Sequence, residues 1–249
     1  YRVVRVTLGV PNLPRAFVGS TIAFLSDIHH GPFVPLGYIR DVVSTVNALE
    51  PEVVALGGDY VHKHRKYITP GIAELGRLEA KLGRFAVLGN HDHWEGPEET
   101  RAALADAGID VVTNAGVWLE RGGQRLRICG VGDLWEDTQD IAAAVGSATD
   151  RDAVILLSHN PDFVEDLRDR RVGLVLSGHT HGGQAVLPGY GAPWAPTRYG
   201  TKYLRGLVQG PVSRVFVTRG VGTVGPPARF FCRPEIVSIT LVAAPSSSA

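Results

Sequence analysis

The amino-acid sequence predicts a mixed α/β protein in which two stacked β-sheets carry helices on their outer faces. Three observations predict it. Five short apolar runs have the length and β-branched content of buried strands. Between the early runs lie segments with helical three- and four-residue spacing, the alternation of a mixed α/β fold. The middle and late chain carries further strand-like segments and a hairpin signal, which point to a second sheet with more antiparallel character.

In chain order, the first apolar run is Thr21–Leu25. Ile39, Val42, Val43, Val46 and Leu49 then recur on one helical face. The next runs are Val53–Leu56 and 85–88. Pro97-Glu98-Glu99 opens another helix. Proline costs nothing in a first turn, where its missing N–H would be unpaired anyway, and acids suit the positive end of the helix dipole. Gly108 is its stop. Segments 111–113, 117–120 and 125–129 read as strands, with Arg121-Gly122-Gly123-Gln124 turning between the last two. Ala153–Leu157 is the fourth apolar run, and Asn160-Pro161 caps a helix expected to reach about Arg170. The fifth run is 174–176. Segments 203–208, 215–218 and 236–242 complete the second sheet together with the middle strands.

Composition narrows the class. The chain has 249 residues, 44% hydrophobic and 20% charged, which excludes wholesale disorder. No apolar run approaches the roughly 20 residues of a membrane-spanning helix. Lys plus Arg and Asp plus Glu both number 25, and this neutrality weighs against a nucleic-acid partner. One domain over residues 1–242 with a loose tail at 243–249 is expected. Cys129 and Cys232 lie in no CxxC pair, so neither a disulfide framework nor a thiolate zinc site is expected. The chain has no methionine, even at position 1, so it is expected to start after a tag or leader; residues 1–10 themselves show no signal-peptide pattern.

The informative fact is what ends the five apolar runs. They deliver Ser26-Asp27-Ile28-His29-His30-Gly31, Gly57-Gly58-Asp59-Tyr60, Gly89-Asn90-His91-Asp92-His93, Ser158-His159-Asn160-Pro161 and Ser177-Gly178-His179-Thr180-His181-Gly182-Gly183. Open α/β sheets place their sites in the crevice at the carboxyl ends of strands. Carboxylate, imidazole and amide oxygen together suit divalent or trivalent metals such as Mn, Fe and Zn. Asp27 and His29, like His179 and His181, are two residues apart, so on extended backbone each pair would face one way. Singly, each of these residues reads as a turn, cap or half-buried polar group. Five strand-end loops with seven suitable donors leave that reading little weight. His30, His62, His64 and His93 are left as surface or supporting residues, with His62 the nearest to the site because it follows Asp59 by three positions.

Asp27-x-His29, Gly58-Asp59, Gly89-Asn90-His91-Asp92, His159 and Gly178-His179-x-His181 resemble the motifs of the calcineurin-like metallophosphoesterases, all five in the family's order. Gly182-Gly183-Gln184, Thr218-Arg219-Gly220, Arg229 and Pro234-Glu235-Ile236 are similar to a bacterial subgroup of membrane-linked or exported phosphodiesterases, the YkuE/YaeI-like branch. The resemblance implies a four-layer αββα sandwich and two metal ions. Asp27, His29, Asp59 and His181 would hold the first, and Asp59, Asn90, His159 and His179 the second, with Asp59 bridging. One departure is Tyr60-Val61-His62, where the family often has a further acid. The implied activity is phosphodiester hydrolysis, extending to phosphomonoesters, by a hydroxide that bridges the metals. His91 would stabilise the transition state or protonate the leaving oxygen, and Asp92 would orient its ring. A small-molecule or lipid-linked phosphodiester is the expected substrate. Peripheral membrane or cell-envelope association, with a bacterial exported or membrane-associated location or else the cytoplasm, goes with the branch.

Other readings compete. A UDP-2,3-diacylglucosamine-type pyrophosphate hydrolase acting on an envelope lipid precursor is one alternative. A non-catalytic scaffold of the same fold is another, and the intact donors weigh against it. Gly220-x-Gly222-x-x-Gly225 matches a dinucleotide fingerprint, but Pro226-Pro227 follows where a helix should run, so it reads as a turn. No P-loop, serine-hydrolase elbow or HExxH is present. Trp194, Arg198, Tyr199, Lys202, Tyr203 and Arg205 form a dense mixture of aromatics and cations just after the last donor loop. Arg198, Lys202 and Arg205 are therefore expected to hold the non-reacting part of an anionic, partly apolar substrate.

Overall fold

A computed structural model describes residues 1–244. The strands are β1 (Arg2–Pro11), β2 (Thr21–Leu25), β3 (Val53–Leu56), β4 (Gly83–Ala86), β5 (Asp110–Val111), β6 (Ala115–Arg121), β7 (Gln124–Gly130), β8 (Ala153–Leu157), β9 (Leu174–Ser177), β10 (Gly206–Gln209), β11 (Arg214–Val217) and β12 (Glu235–Ala244). The helices are α1 (Leu36–Asn47), α2 (Ile68–Leu75), α3 (Asn90–Glu95), α4 (Pro97–Asp106) and α5 (Ile141–Val145). One six-stranded sheet has the order β1-β12-β2-β3-β4-β5 and the other β10-β11-β9-β8-β7-β6.

Strand alternation builds the layers. Ile22 and Phe24 of β2, Val53 and Ala55 of β3, Ile155 and Leu157 of β8, and Leu174 and Leu176 of β9 share one buried cluster between the sheets. The alternate residues face outward under helices. Ala23, Leu25, Val54 and Leu56 meet Ile39, Val42, Val43 and Val46 of α1 and Ile68, Ile72 and Leu75 of α2. Val154, Leu156 and Val175 meet Ala144 and Val145 of α5 and Phe163 of a short 3-10 turn, Pro161–Glu165. This is the expected four-layer αββα arrangement. Residues of β2, β3, β8 and β9 pack on both sides, which is why they read as unbroken apolar runs.

Several local expectations are corrected. Segments 111–113 and 236–242 are expected in the second sheet, but β5 and β12 lie in the first, β12 between β1 and β2. The second sheet nonetheless has two antiparallel pairings, β6 with β7 and β10 with β11, against one in the first. The helix expected to reach Arg170 stops at Glu165, and the Arg168 guanidinium satisfies the carbonyls of Glu165 and Leu167 left free at its end. The expected tail enters β12, which runs through Ala244; residues 245–249 lie outside the described residues.

Candidate metal centre and substrate slot

The carboxyl ends of β2, β3 and β4 in one sheet and of β8 and β9 in the other face a common crevice. Backbone hydrogen bonds sew its loops together. The Asp27 and His29 amides donate to the carbonyls of Gly58 and Asp59 at 2.9 and 3.0 Å, and the Gly178 amide donates to the His159 carbonyl at 3.0 Å. The two sheets are tied where the His179 amide donates to Asp27 Oδ1 at 2.9 Å. Gly178 permits this approach, since a Cβ there would collide with Ser26 Oγ and the Asp27 carboxylate.

The donor pairs do not sit on extended backbone. Asp27, His29, Asp59, His179 and His181 have φ of 56°, 51°, 58°, 68° and 52°. Left-handed backbone is costly for residues with a Cβ and concentrates at functional sites. Each i, i+2 pair converges because both members turn through this region, not because a strand alternates.

All seven donors converge. His29 Nε2 lies 3.0 Å from His181 Nε2 and 3.9 Å from Asp27 Oδ1, and His181 Nε2 lies 3.4 Å from Asp27 Oδ1. His179 Nδ1 lies 3.0 Å from Asn90 Oδ1 and 3.3 Å from His159 Nε2. Asp59 Oδ2 joins the groups, 3.5 Å from His29 Nε2 and 3.2 Å from His159 Nε2. Asp27, His29 and His181 form one constellation able to hold a metal, and Asp59, His159 and His179 form another. Donor atoms 3–4 Å apart suit a shared cation with bonds of about 2.0–2.2 Å. The chemistry fits too. His159 Nδ1 lies 2.6 Å from the Gly57 carbonyl, which requires a proton on that nitrogen and turns Nε2 toward the cluster.

The electrostatics call for positive charge. Burial pushes Asp27 up to about 6, helped by the charge of Asp59. Burial opposes charge on Asp59 and His159 as well, yet their mutual attraction and hydrogen bond hold the carboxyl well below its usual range and the imidazole well above. Burial drives His29 and His181 well down, and takes His179 down to about 3 with His159's charge assisting. The neutral imidazoles of His29, His179 and His181 and a partly neutral carboxyl, packed this closely around the Asp59–His159 pair, make a site suited to a cation.

His91 stands beside the donors, its ring centroid 4.8 Å from that of His29 and 4.6 Å from that of Trp94. Its amide donates to Asp59 Oδ1 at 2.9 Å. Asp92 does not orient it as expected. The Asp92 carboxylate accepts from the amides of Asp59, Tyr60 and Gly89 at 2.8, 2.8 and 2.9 Å, clamping the loops after β3 and β4. Burial and then Asp59's charge raise Asp92's pKa, and the Gly89 and Tyr60 amides oppose the rise. His62 does approach the site, 5.2 Å from His91 and 5.6 Å from His29 between ring centroids.

A cavity of about 700 Å³ opens above the donors. Asp59, Asn90, His91, His179 and His181 floor it, and Trp94, Trp135, Trp194, Pro193, Pro196 and Phe230 wall it. Of the three cations expected here, Arg198 lines the cavity. Lys202 and Arg205 do not. Lys202 Nζ is engaged by the Glu165 carboxylate, as is the Tyr203 hydroxyl, and Arg205 is exposed away from the lining. Arg198 is placed by Asp162, which accepts from its amide at 2.7 Å and from Thr197 Oγ1 at 2.6 Å. Trp94, Trp135 and Phe230 carry no sequence signal for the wall, because they are scattered over the chain. Gln184 joins the loops at 184–198 and 224–230 that rim the cavity: its amide nitrogen donates to the carbonyls of Val224 and Pro226 at 3.1 and 2.7 Å.

Comparison with known proteins agrees with this geometry. The family model for calcineurin-like phosphoesterases matches residues 20–183. The metallophosphoesterase YkuE of Bacillus subtilis is 33% identical over 92% of this chain and 81% of its own length. The phosphodiesterase YaeI of Escherichia coli is 35% identical over 89% of this chain and 82% of its own. Among solved structures, the protein TT1561 of Thermus thermophilus superposes with a TM-score of 0.52 at 14% identity, covering 81% of this chain and 89% of that one. The NAD nucleotidase of Haemophilus influenzae gives 0.52 at 15% over 80% of this chain, which spans only 44% of that structure. These two likenesses concern the fold. The chain belongs to the calcineurin-like phosphoesterase family, and it is a metal-dependent hydrolase of phosphoric esters.

Proposed function

We propose that this member of the family hydrolyses phosphodiesters at a two-metal centre. Asp27, His29, Asp59 and His181 hold one cation, and Asp59, Asn90, His159 and His179 hold the other. The observation that carries this is Asp59 Oδ2, which stands within 3.5 Å of a histidine nitrogen from each group. Mn, Fe or Zn suits the imidazole, carboxylate and amide donors. Such a pair, when bound, supplies charge against the phosphoryl oxygens and acidifies water. The chain's own residues do the rest. Asp59 would be shared between the two donor groups, and His91, which lines the cavity, would donate a proton to the leaving oxygen.

The cavity wall supports a substrate with a bulky apolar part. Trp94, Trp135, Trp194 and Phe230 offer rings for an acyl chain or a planar group, and Arg198 offers a fork for a second anionic group. A lipid-linked phosphodiester of the cell envelope fits best. Trp194, 73% exposed on the cavity wall, and Tyr190, 91% exposed on the same loop, offer rings for a peripheral membrane contact, and an exported or membrane-associated location goes with it.

A substrate panel with added Mn tests this. Turnover of aryl phosphodiesters with about two metals per chain is expected, and a UDP-linked diacylglucosamine or another lipid-linked diester should have the lowest KM. Absence of metal and of turnover would leave the scaffold reading. Equal KM for lipid-linked and small diesters would remove the apolar part of the proposal.

A further inference from the structure

The two-metal reading leaves one ring of the site unused. His62 is 6% exposed, and neither of its nitrogens has a hydrogen-bond partner among the described residues. Buried polar groups left unpartnered are costly and rare, so each needs a physical reason. His62 is also held firmly. Its amide donates to the His30 carbonyl at 2.9 Å, and His30 and Val61 form a parallel bridge. Gly31 makes room, because a Cβ there would stand 2.8 Å from the His62 carbonyl oxygen and 3.2 Å from its Cβ. The fold therefore fixes this imidazole beside the centre, with no partner for its nitrogens among the described residues.

The spacing says what it can bind. Nitrogens of His29, His62 and His91 lie within 4.8 Å of one another. Two hydrogen bonds of roughly 2.8 Å to one oxygen span at most about 5.6 Å. A single oxygen can thus bond to His62 and His91 at once, while His29 faces the metal donors. His91 opens to the cavity where the ester must lie, and His62 stands behind it, off the lining itself, 5.2 Å away between ring centroids.

We propose that His62 is a second catalytic histidine, which shares with His91 the grip on one phosphoryl oxygen of the substrate. The inference rests on the phosphoesterase reading of the site. An imidazole N–H from each ring bonds that oxygen, strengthening as charge gathers on it during attack. Orthophosphate carries the same oxygens, so its binding reports the grip without turnover.

The test uses Mn-loaded protein and inorganic phosphate. His62→Ala should keep two metals per chain, weaken phosphate binding by about tenfold or more in calorimetry, and lower kcat/KM by about 10- to 100-fold. His62→Asn, which retains an N–H donor, should recover part of both. Gly31→Ala, which leaves the ring in the chain but displaces it, should shift both in the same direction. Phosphate affinity and turnover within about twofold of wild type in His62→Ala would overturn the proposal. So would a metal count falling toward one, because His62 would then be a ligand. If wild-type protein bound phosphate but hydrolysed no ester, the functional reading would fail while the His62 effect on phosphate remained measurable.

Discussion

The floor of the crevice and its lip are built on opposite principles. The floor is made by strand ends from two sheets, with Asp27, His29, Asp59, Asn90, His159, His179 and His181 buried and cross-bonded through Gly58, Gly178 and Asp92. The lip is made by the loops at 184–198 and 224–230, whose Leu187, Tyr190, Trp194 and Phe230 stand exposed. The lip is tied down at Gln184, which joins its two loops, and at Arg229, whose guanidinium donates to the carbonyls of His181, Arg219 and Gly222. A rigid floor fixes reacting atoms, as two-metal chemistry requires. A loose aromatic lip can take up a bulky group without disturbing that geometry. Changes to the floor should therefore alter chemistry for every substrate, and changes to the lip should alter affinity for some.

The largest effect should come from Asp59→Asn. Losing the shared oxygen's charge weakens both groups of donors, so metal content should fall below two per chain and turnover by more than about 10³-fold. Elemental analysis with a small aryl diester assay checks it. Two retained metals with near-normal turnover would place the bridge elsewhere. His91→Ala should separate chemistry from metal binding within the floor. Loss of proton donation is worth about 10²–10⁴-fold, and metal content should hold, because the two metal groups contain Asp59, His29 and His159 but not His91. Metal loss in this variant would make His91 a ligand.

A pH titration of metal affinity sharpens the floor further. Burial raises the Asp27 carboxyl to about 6, and only its ionised form binds a cation well. Affinity should decline as the pH drops through it, by about tenfold per unit below about 6. His159, which Asp59 holds well above the usual imidazole range, must also give up a proton to bind, so affinity should go on rising with pH above that value. His179, already down at about 3, and His29 and His181 stay neutral across this window and should add no slope. Isothermal titration with Mn between pH 5 and 8 reads it. A flat profile would remove Asp27 from the metal set.

The same contrast explains what the sequence reveals. Floor donors are legible because each follows a run of residues buried on both faces, such as Thr21–Leu25 or Ala153–Leu157. Their mode of convergence is not, since left-handed backbone at Asp27 and His179 leaves no sequence period. β1 is hard to read because its exposed edge carries Arg2 and Arg5 among the valines, and α2 because Pro70 and Gly71 interrupt its pattern. The sheet membership of β12 depends on a pairing over two hundred residues with β1, which local patterning does not encode. In the lip, the cluster of cations at 198–205 is visible, but which of them faces the cavity is not. Glu165, far away in sequence, draws Lys202 off, and Asp162 aims the backbone at Arg198 inward.

That last distinction gives the smallest and most selective prediction. Arg198 lines the cavity with Trp194, so Arg198→Ala combined with Trp194→Ala removes a fork and a ring from the path of a bulky substrate. The reacting phosphoryl group is held by the floor, so the loss is one of binding shared by ground and transition states. KM should rise about five- to tenfold for a lipid-linked or other large diester, with kcat nearly unchanged. A small aryl diester, which does not reach the lip, should be spared. Lys202→Ala with Arg205→Ala should change neither substrate's KM by more than about twofold, because the first side chain is paired with Glu165 and the second lies off the lining. If the Lys202 and Arg205 pair proved the more damaging, the lip would extend over 202–205 and the cavity would not mark the substrate's path. If the Arg198 and Trp194 pair lowered kcat equally for both diesters, the lip would be part of the rigid floor, and the division between them would not hold.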